Sequence, residues 1–147
     1  MKLKLGKGIG KIIFGMSPKD VISILGKPDL ILTDEDDEDQ NPVYEYSALN
    51  LRCTFYTHKN KLKLSYLRCS NPALTYKGAK LIGASIKSIK KDVFGEKIKW
   101  RSEHYFSFSN HFNKKYWMNI HEEYQKVTNV EVGVPYKKKG TKLNWPT

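Results

Sequence analysis

Residues Phe14 to Pro28, reading FGMSPKDVISILGKP, constrain this chain more than any other stretch, because they carry start, face and stop signals for one short helix. Ser17 is the N-cap. Pro18 falls at the first helical position, where its missing N–H costs nothing, and Asp20 completes a capping-box pattern and sits against the positive helix end. Val21, Ile22, Ile24 and Leu25 form one apolar stripe, Gly26 supplies the residue after the last turn, and Pro28 forbids continuation. The helix is therefore about ten residues long and must lay its stripe on something. A second copy follows at Gly83 to Glu96, GASIKSIKKDVFGE, with Ser85 as cap, Ile86, Ile89, Val93 and Phe94 as stripe and Gly95 as stop.

The segments between and after these helices alternate as strands do. Leu49, Leu51, Cys53 and Phe55 interleave with Asn50, Arg52 and Thr54, the period-two pattern of a half-buried strand. His58-Lys59-Asn60 is the turn of a hairpin returning through Leu62, Leu64 and Tyr66. Leu30 to Leu32 and Val43 to Tyr46 read as two further strands. Beyond Gly95, strands are expected around Ile98 and Trp100, over Tyr105, Phe106 and Phe108, over Tyr116 to Ile120, and through Val127, Val130, Val132 and Val134. Leu3, Leu5, Ile9, Ile12 and Phe14 form an extended lead-in.

These patterns predict an α+β protein of two repeats, each a short helix followed by an antiparallel sheet of about four strands, with the helices packed on one sheet face. Repeat one covers about 9–72 and repeat two about 78–136, with a polar tail over 137–147. A repeat of about 65 residues is marginal alone, so the 147 residues are expected to form one domain. The start, MKLKLGKGIGKIIFGM, lacks a continuous apolar core and an A-x-A-like cleavage site, so no signal peptide is expected. No apolar run is long enough to span a bilayer, and the cytoplasm is the expected compartment. Cys53 and Cys69 are too few for a disulfide framework and read as two buried thiols, the alternative being one bridge between neighbouring strands.

The net charge is +11, yet six of the fifteen acidic residues are packed into Asp34 to Asp39, DEDDED. Outside that run, 26 basic residues face 9 acidic ones, a balance that attracts polyanions and acidic protein surfaces. No helix-turn-helix, zinc-finger or RNP-like motif accompanies the charge, so a nucleic-acid-associated protein is the alternative reading rather than the first.

The pattern G-M-S-x-x-D-V-x-x-x-L-G-x-P at Gly15 to Pro28, with its fainter echo at Gly83 to Gly95, resembles the beta-lactamase inhibitory protein fold and, in single copy, the small outer-membrane assembly lipoproteins. The resemblance implies a non-enzymatic module that binds another protein on its open sheet face, a task shared with cytoplasmic immunity proteins that block toxins. On that reading the partner-binding residues are Arg52, Tyr56 and Trp117, which alternate with the core positions of their strands, together with Asp34, Asp36, Asp37 and Asp39 of the acidic run. Tyr, Trp and Arg are the residue types that carry interface energy.

Catalytic and metal readings are weaker. His104, His111 and His121 fall where strand pairing brings two of them near Glu103, Glu122 or Glu123, but no H-E-x-x-H, G-x-S-x-G or positioned nucleophile is present. Asp34, Asp36, Glu38 and Glu45 match calcium-loop positions, yet Asp39 stands where the sharp turn needs glycine. The expectation is no catalytic residue, no metal and no cofactor.

Overall fold

The capped helix forms as its residues dictate. In the computed structural model of the chain, which describes residues 1–33, 38, 41–138 and 141–146, Ser17 Oγ accepts from the Asp20 N–H at 3.1 Å and the Asp20 carboxylate accepts from the Ser17 N–H at 3.0 Å. The helix, α1 (Pro18–Leu25), ends at Gly26, whose φ of 85° is the left-handed geometry that favours glycine. It is preceded by three two-residue strands, β1 (Leu3–Lys4), β2 (Gly8–Ile9) and β3 (Ile12–Ile13), which fold on one another and bury Leu3, Ile9 and Ile12.

Four antiparallel strands follow: β4 (Leu30–Thr33), β5 (Pro42–Tyr46), β6 (Leu51–His58) and β7 (Lys61–Cys69). A small hairpin, β8 (Thr75–Tyr76) and β9 (Ala79–Lys80), leads into α2 (Ile86–Ser88), whose cap Ser85 Oγ accepts from the Ser88 N–H. The helix then continues as a π-helical turn over Ile89–Phe94. Four more antiparallel strands complete the chain: β10 (Arg101–His104), β11 (Ser109–Asn113), β12 (Met118–Glu123) and β13 (Lys126–Gly133).

The expectation of an α+β protein built from two helix-plus-sheet repeats is corrected at this point. The last strand of each set pairs with the other, β13 against β7 with Val130 opposite Cys69 and Val132 opposite Leu67, so that among the described residues eight strands form one sheet, β10-β11-β12-β13-β7-β6-β5-β4. The chain is mostly β, 46% strand against 14% helix, and its two short helices form no layer of their own. The physical reason lies in the stripes: on α1 only Val21 is fully buried, while Ile24 is 40% exposed. Much of the inner sheet face is instead covered by β1–β3 and by the link residues Leu74 and Leu81, which share one core with Phe55, Leu64, Leu67, Val130 and Ile120.

Register sorts side chains cleanly by face. One inner row crosses seven strands as Tyr46, Leu51, Cys69, Val130, Ile120, His111 and Ser102. The matching outer row crosses all eight as Leu30, Glu45, Arg52, Arg68, Glu131, Asn119, Phe112 and Arg101. Two bulges keep this sorting. An extra residue at Ser65 sets Leu64 inward and Tyr66 outward, where a strict alternation places them on one face, and an extra residue at Thr128 turns Val127 inward beside Glu122. β10 and β11 also differ from expectation: Tyr105 to Phe108 form the turn between them, and β11 itself is the polar Ser109–Asn113. Ile98 and Trp100 precede β10 without belonging to it.

Candidate functional site

Arg52 and Tyr56 lie on the outer face, as the alternation of β6 requires. Arg52 Nη2 reaches both Glu45 carboxylate oxygens at 3.3 Å across the β5–β6 pair. Two strands away, Glu131 repeats the arrangement: it accepts from the Tyr66 hydroxyl and faces Arg68 Nε at 3.9 Å. Burial, together with that bond, pushes the Tyr66 hydroxyl well above the ordinary tyrosine range, so the phenol stays protonated and donating. At the far edge, the Arg101 guanidinium stands over the Phe112 ring at 5.3 Å. The outer face thus presents charge pairs flanked by rings, all partly open to solvent. Trp117 departs from this pattern. It sits in the β11–β12 turn at φ 50°, edge-on to Phe112 and Tyr136 at 5.1 Å each, and rests on Gly133. Asp34, Asp36, Asp37 and Asp39 lie outside the described residues.

The inner face holds a second arrangement that alternation alone does not reveal. Its apolar rows turn polar over β10–β12, where His104, Ser109, His111 and Glu122 line a cavity of about 460 Å³ roofed by Ile86, Lys87 and Lys90 of the second helical segment, and Ser102 of β10 bonds two of the lining residues, Lys90 and His111. A chain of contacts runs through it. Lys90 Nζ donates to Ser102 Oγ at 3.1 Å, Ser102 Oγ lies 2.7 Å from His111 Nδ1, and His111 Nε2 faces Glu122 Oε1 at 3.6 Å. The far Glu122 oxygen accepts from the Gln125 N–H at 2.7 Å.

Burial lowers the His111 pKa, the nearby Lys90 ammonium lowers it further, and the Glu122 carboxylate opposes both. The imidazole is therefore neutral near pH 7, and 3.6 Å to Glu122 marks a polar contact rather than a formed ion pair. A proton on Nε2 suits the carboxylate and leaves Nδ1 to accept from the serine hydroxyl. Burial also lowers the Lys90 pKa, against the pull of Glu122. Chemically this is a proton-holding relay with its serine at the solvent end.

The histidines therefore come together only in part. His104 and His111 stand with ring centroids 6.1 Å apart, while His121 faces outward, Nδ1 to Asn110 Oδ1 at 2.8 Å and Nε2 to Glu123 at 3.7 Å. Among the described residues no three metal-ligating side chains gather. Cys53 and Cys69 are buried free thiols, and burial with the neighbouring thiol pushes Cys53 up to about 12, which leaves it inert as a nucleophile. No helix among the described residues is long and apolar enough to cross a membrane. Sequence reasoning named His104, His111 and Glu122 among its alternatives but missed Ser102, Ser109 and Lys90; the signal was the polar run of β11, SNHFN, which can border a core only where that core is polar.

No family model and no curated protein matches the chain. Among solved structures it is similar to a DUF4309 family protein (YjgB) from Bacillus subtilis, at 14% identity and a TM-score of 0.52 over 87% of each chain. It is also similar to an extracellular protein containing an SCP domain from Bacillus anthracis, at 11% identity and a TM-score of 0.52, covering 81% of this chain and 43% of that one. The chain thus spans less than half the length of the second structure. At these identities the likeness describes fold alone.

Proposed function

We propose that this chain is a non-enzymatic protein-binding module that docks a partner on the outer face of its eight-stranded sheet, as a cytoplasmic immunity or inhibitor protein does with a toxin. The observation that carries the reading is the outer row itself: Glu45–Arg52 and Arg68–Glu131 pairs, Tyr56, Tyr66 and Phe112 on a face that stays partly open, rather than the solvated lysines and threonines of an idle sheet. The row ends at β4, an edge strand whose Leu30, Ile31 and Leu32 are all exposed, at 55%, 60% and 39%. An apolar edge strand with no further strand beside it among the described residues is a template for a partner strand or loop.

The test is capture of a partner from the native host by the tagged chain, followed by the same capture with Arg68→Glu and Leu32→Lys variants. A single stoichiometric protein retained by the wild type and lost by both variants supports the reading. Retention of every captured protein by variants that melt like the wild type overturns it.

A further inference from the structure

A third feature belongs to neither site. The β1–β2 turn, the β11–β12 turn and residues 135–138 and 141–146 enclose a cleft of about 1220 Å³. Five lysines line it, Lys7, Lys114, Lys115, Lys137 and Lys138, and no aspartate or glutamate does among the described residues. In the outer row Arg52 is matched by Glu45 and Arg68 by Glu131. Here the lysines are gathered without a lining counter-charge among the described residues, so the cleft focuses a positive field. Four rings share the space: Tyr116, Trp117, Tyr136 and Trp145. Charge and ring are presented together, since Lys115 Nζ stands 5.2 Å from the Tyr116 centroid.

From this geometry we infer that the cleft binds single-stranded nucleic acid, its lysines neutralising phosphates and its rings stacking bases. Three observations select that ligand. The volume exceeds the range of about 300 to 1,000 Å³ that suits small molecules and fits a short stretch of polymer. Lysine-only charge with no lining carboxylate among the described residues suits a repeating anion, and an anion without base faces would leave the exposed ring surface of Tyr136 without a partner in the ligand. A duplex has its bases stacked internally and offers no free face, whereas base-on-ring stacking is the means by which single strands are held without reading sequence. The cleft adjoins the outer row through Trp117, which packs on Phe112, but its lysines are not members of that row, so this inference does not depend on the protein-binding reading.

The probe is an oligothymidylate of about 15 nucleotides, a length matched to single-strand sites of this kind, with duplex DNA of equal length and inorganic polyphosphate as comparisons. Binding is followed by anisotropy and by tryptophan quenching. With about five phosphates neutralised, affinity should fall roughly a hundredfold between about 50 and about 200 mM salt. Lys114→Glu/Lys115→Glu should lose at least about tenfold at low salt, by removing two contacts and adding two repulsions. Tyr136 is 44% exposed, so Tyr136→Leu should fold normally, weaken oligothymidylate several-fold and leave polyphosphate unchanged. Arg52→Glu/Arg68→Glu, outside the cleft, should bind the oligonucleotide with its salt slope reduced by less than one. Failure of oligothymidylate to bind at low salt overturns the inference. So does binding of polyphosphate and oligothymidylate with equal affinity, equal loss in the lysine variant and no effect of Tyr136→Leu.

Discussion

Gly133 and Trp117 occupy what would otherwise be the same space: a Cβ built on Gly133 falls 2.7 Å from Trp117 Cδ1, and 2.9 Å from Tyr66 Cδ2. The glycine is therefore required by its neighbours rather than by its backbone. It lets an indole from the β11–β12 turn lie flat on the end of β13 beside a tyrosine from β7. Gly133→Ala should destabilise by about 1 to 3 kcal/mol, the usual cost of overpacking, and shift the tryptophan emission as Trp117 is lifted. Urea unfolding read by fluorescence checks both. A variant with wild-type midpoint and spectrum shows that the indole does not rest there.

The helix α1 separates two effects that its sequence merges. Ser17→Ala removes the bond that Ser17 Oγ accepts from the Asp20 N–H while the backbone N–H of residue 17 still donates to the Asp20 carboxylate, at a cost of about 0.5 to 2 kcal/mol. Val21 has no exposed surface, so Val21→Ala should cost about 2 kcal/mol. The stripe read from sequence makes Leu25 a core residue worth about 2 to 5 kcal/mol on truncation. Leu25 is only half-buried, and the expected loss is now about 1 kcal/mol. Thermal melts of the three variants give the order directly.

Local signals were legible because they act within one turn or one hairpin. The Ser17 cap, the stop at Gly26, the His58–Asn60 turn and the inward set Leu51, Cys53 and Phe55 all follow from residues close in the chain. The joining of β7 to β13 was not legible, since it depends on Leu67 and Cys69 meeting Val132 and Val130 across more than sixty positions, and nothing in either strand names its neighbour. The bulge at Ser65 hid the true parity of Tyr66, because one added residue reverses every side chain beyond it. Polar β11 was missed for a different reason. The rings of Tyr105, Phe106 and Phe108 carry strong strand preference, while Ser109 and His111 point inward at a polar cavity that composition gives no means of anticipating.

The inner cavity predicts an acid-sensitive fold. His111 is buried with Lys90 and His104 on one side and Glu122 on the other, and its folded pKa lies below the ordinary value of 6.5. The unfolded state therefore binds the proton more readily. Stability from this group is fully present above about pH 6.5 and is lost as pH falls below that value. His111→Gln keeps a side-chain amide near Ser102 and Glu122 without the titration. Its urea midpoint should vary less between pH 7 and pH 5 than that of the wild type. Parallel pH profiles for the two proteins would count against a neutral buried His111.

Tyr56 and Trp117 were read from sequence as equivalent members of one binding face, and their surroundings now separate them. Tyr56 is 43% exposed on the outer face opposite Lys63, so its truncation removes surface without opening the core. Trp117 is held by Phe112, Tyr136 and Gly133, so its truncation removes packing. Tyr56→Ala should melt within about 0.5 kcal/mol of wild type and weaken the captured partner by more than about 1 kcal/mol. Trp117→Ala should lose about 2 kcal/mol of stability, below the 3 to 5 of a fully buried ring because Trp117 is only half-buried. The same variant should leave partner affinity near wild type once measured on the folded fraction. Binding kinetics on both variants, with melts alongside, decide the matter: a stable Tyr56→Ala protein with undiminished affinity removes Tyr56 from the interface, and a partner lost only with Trp117 moves that interface from the outer row to the basic cleft.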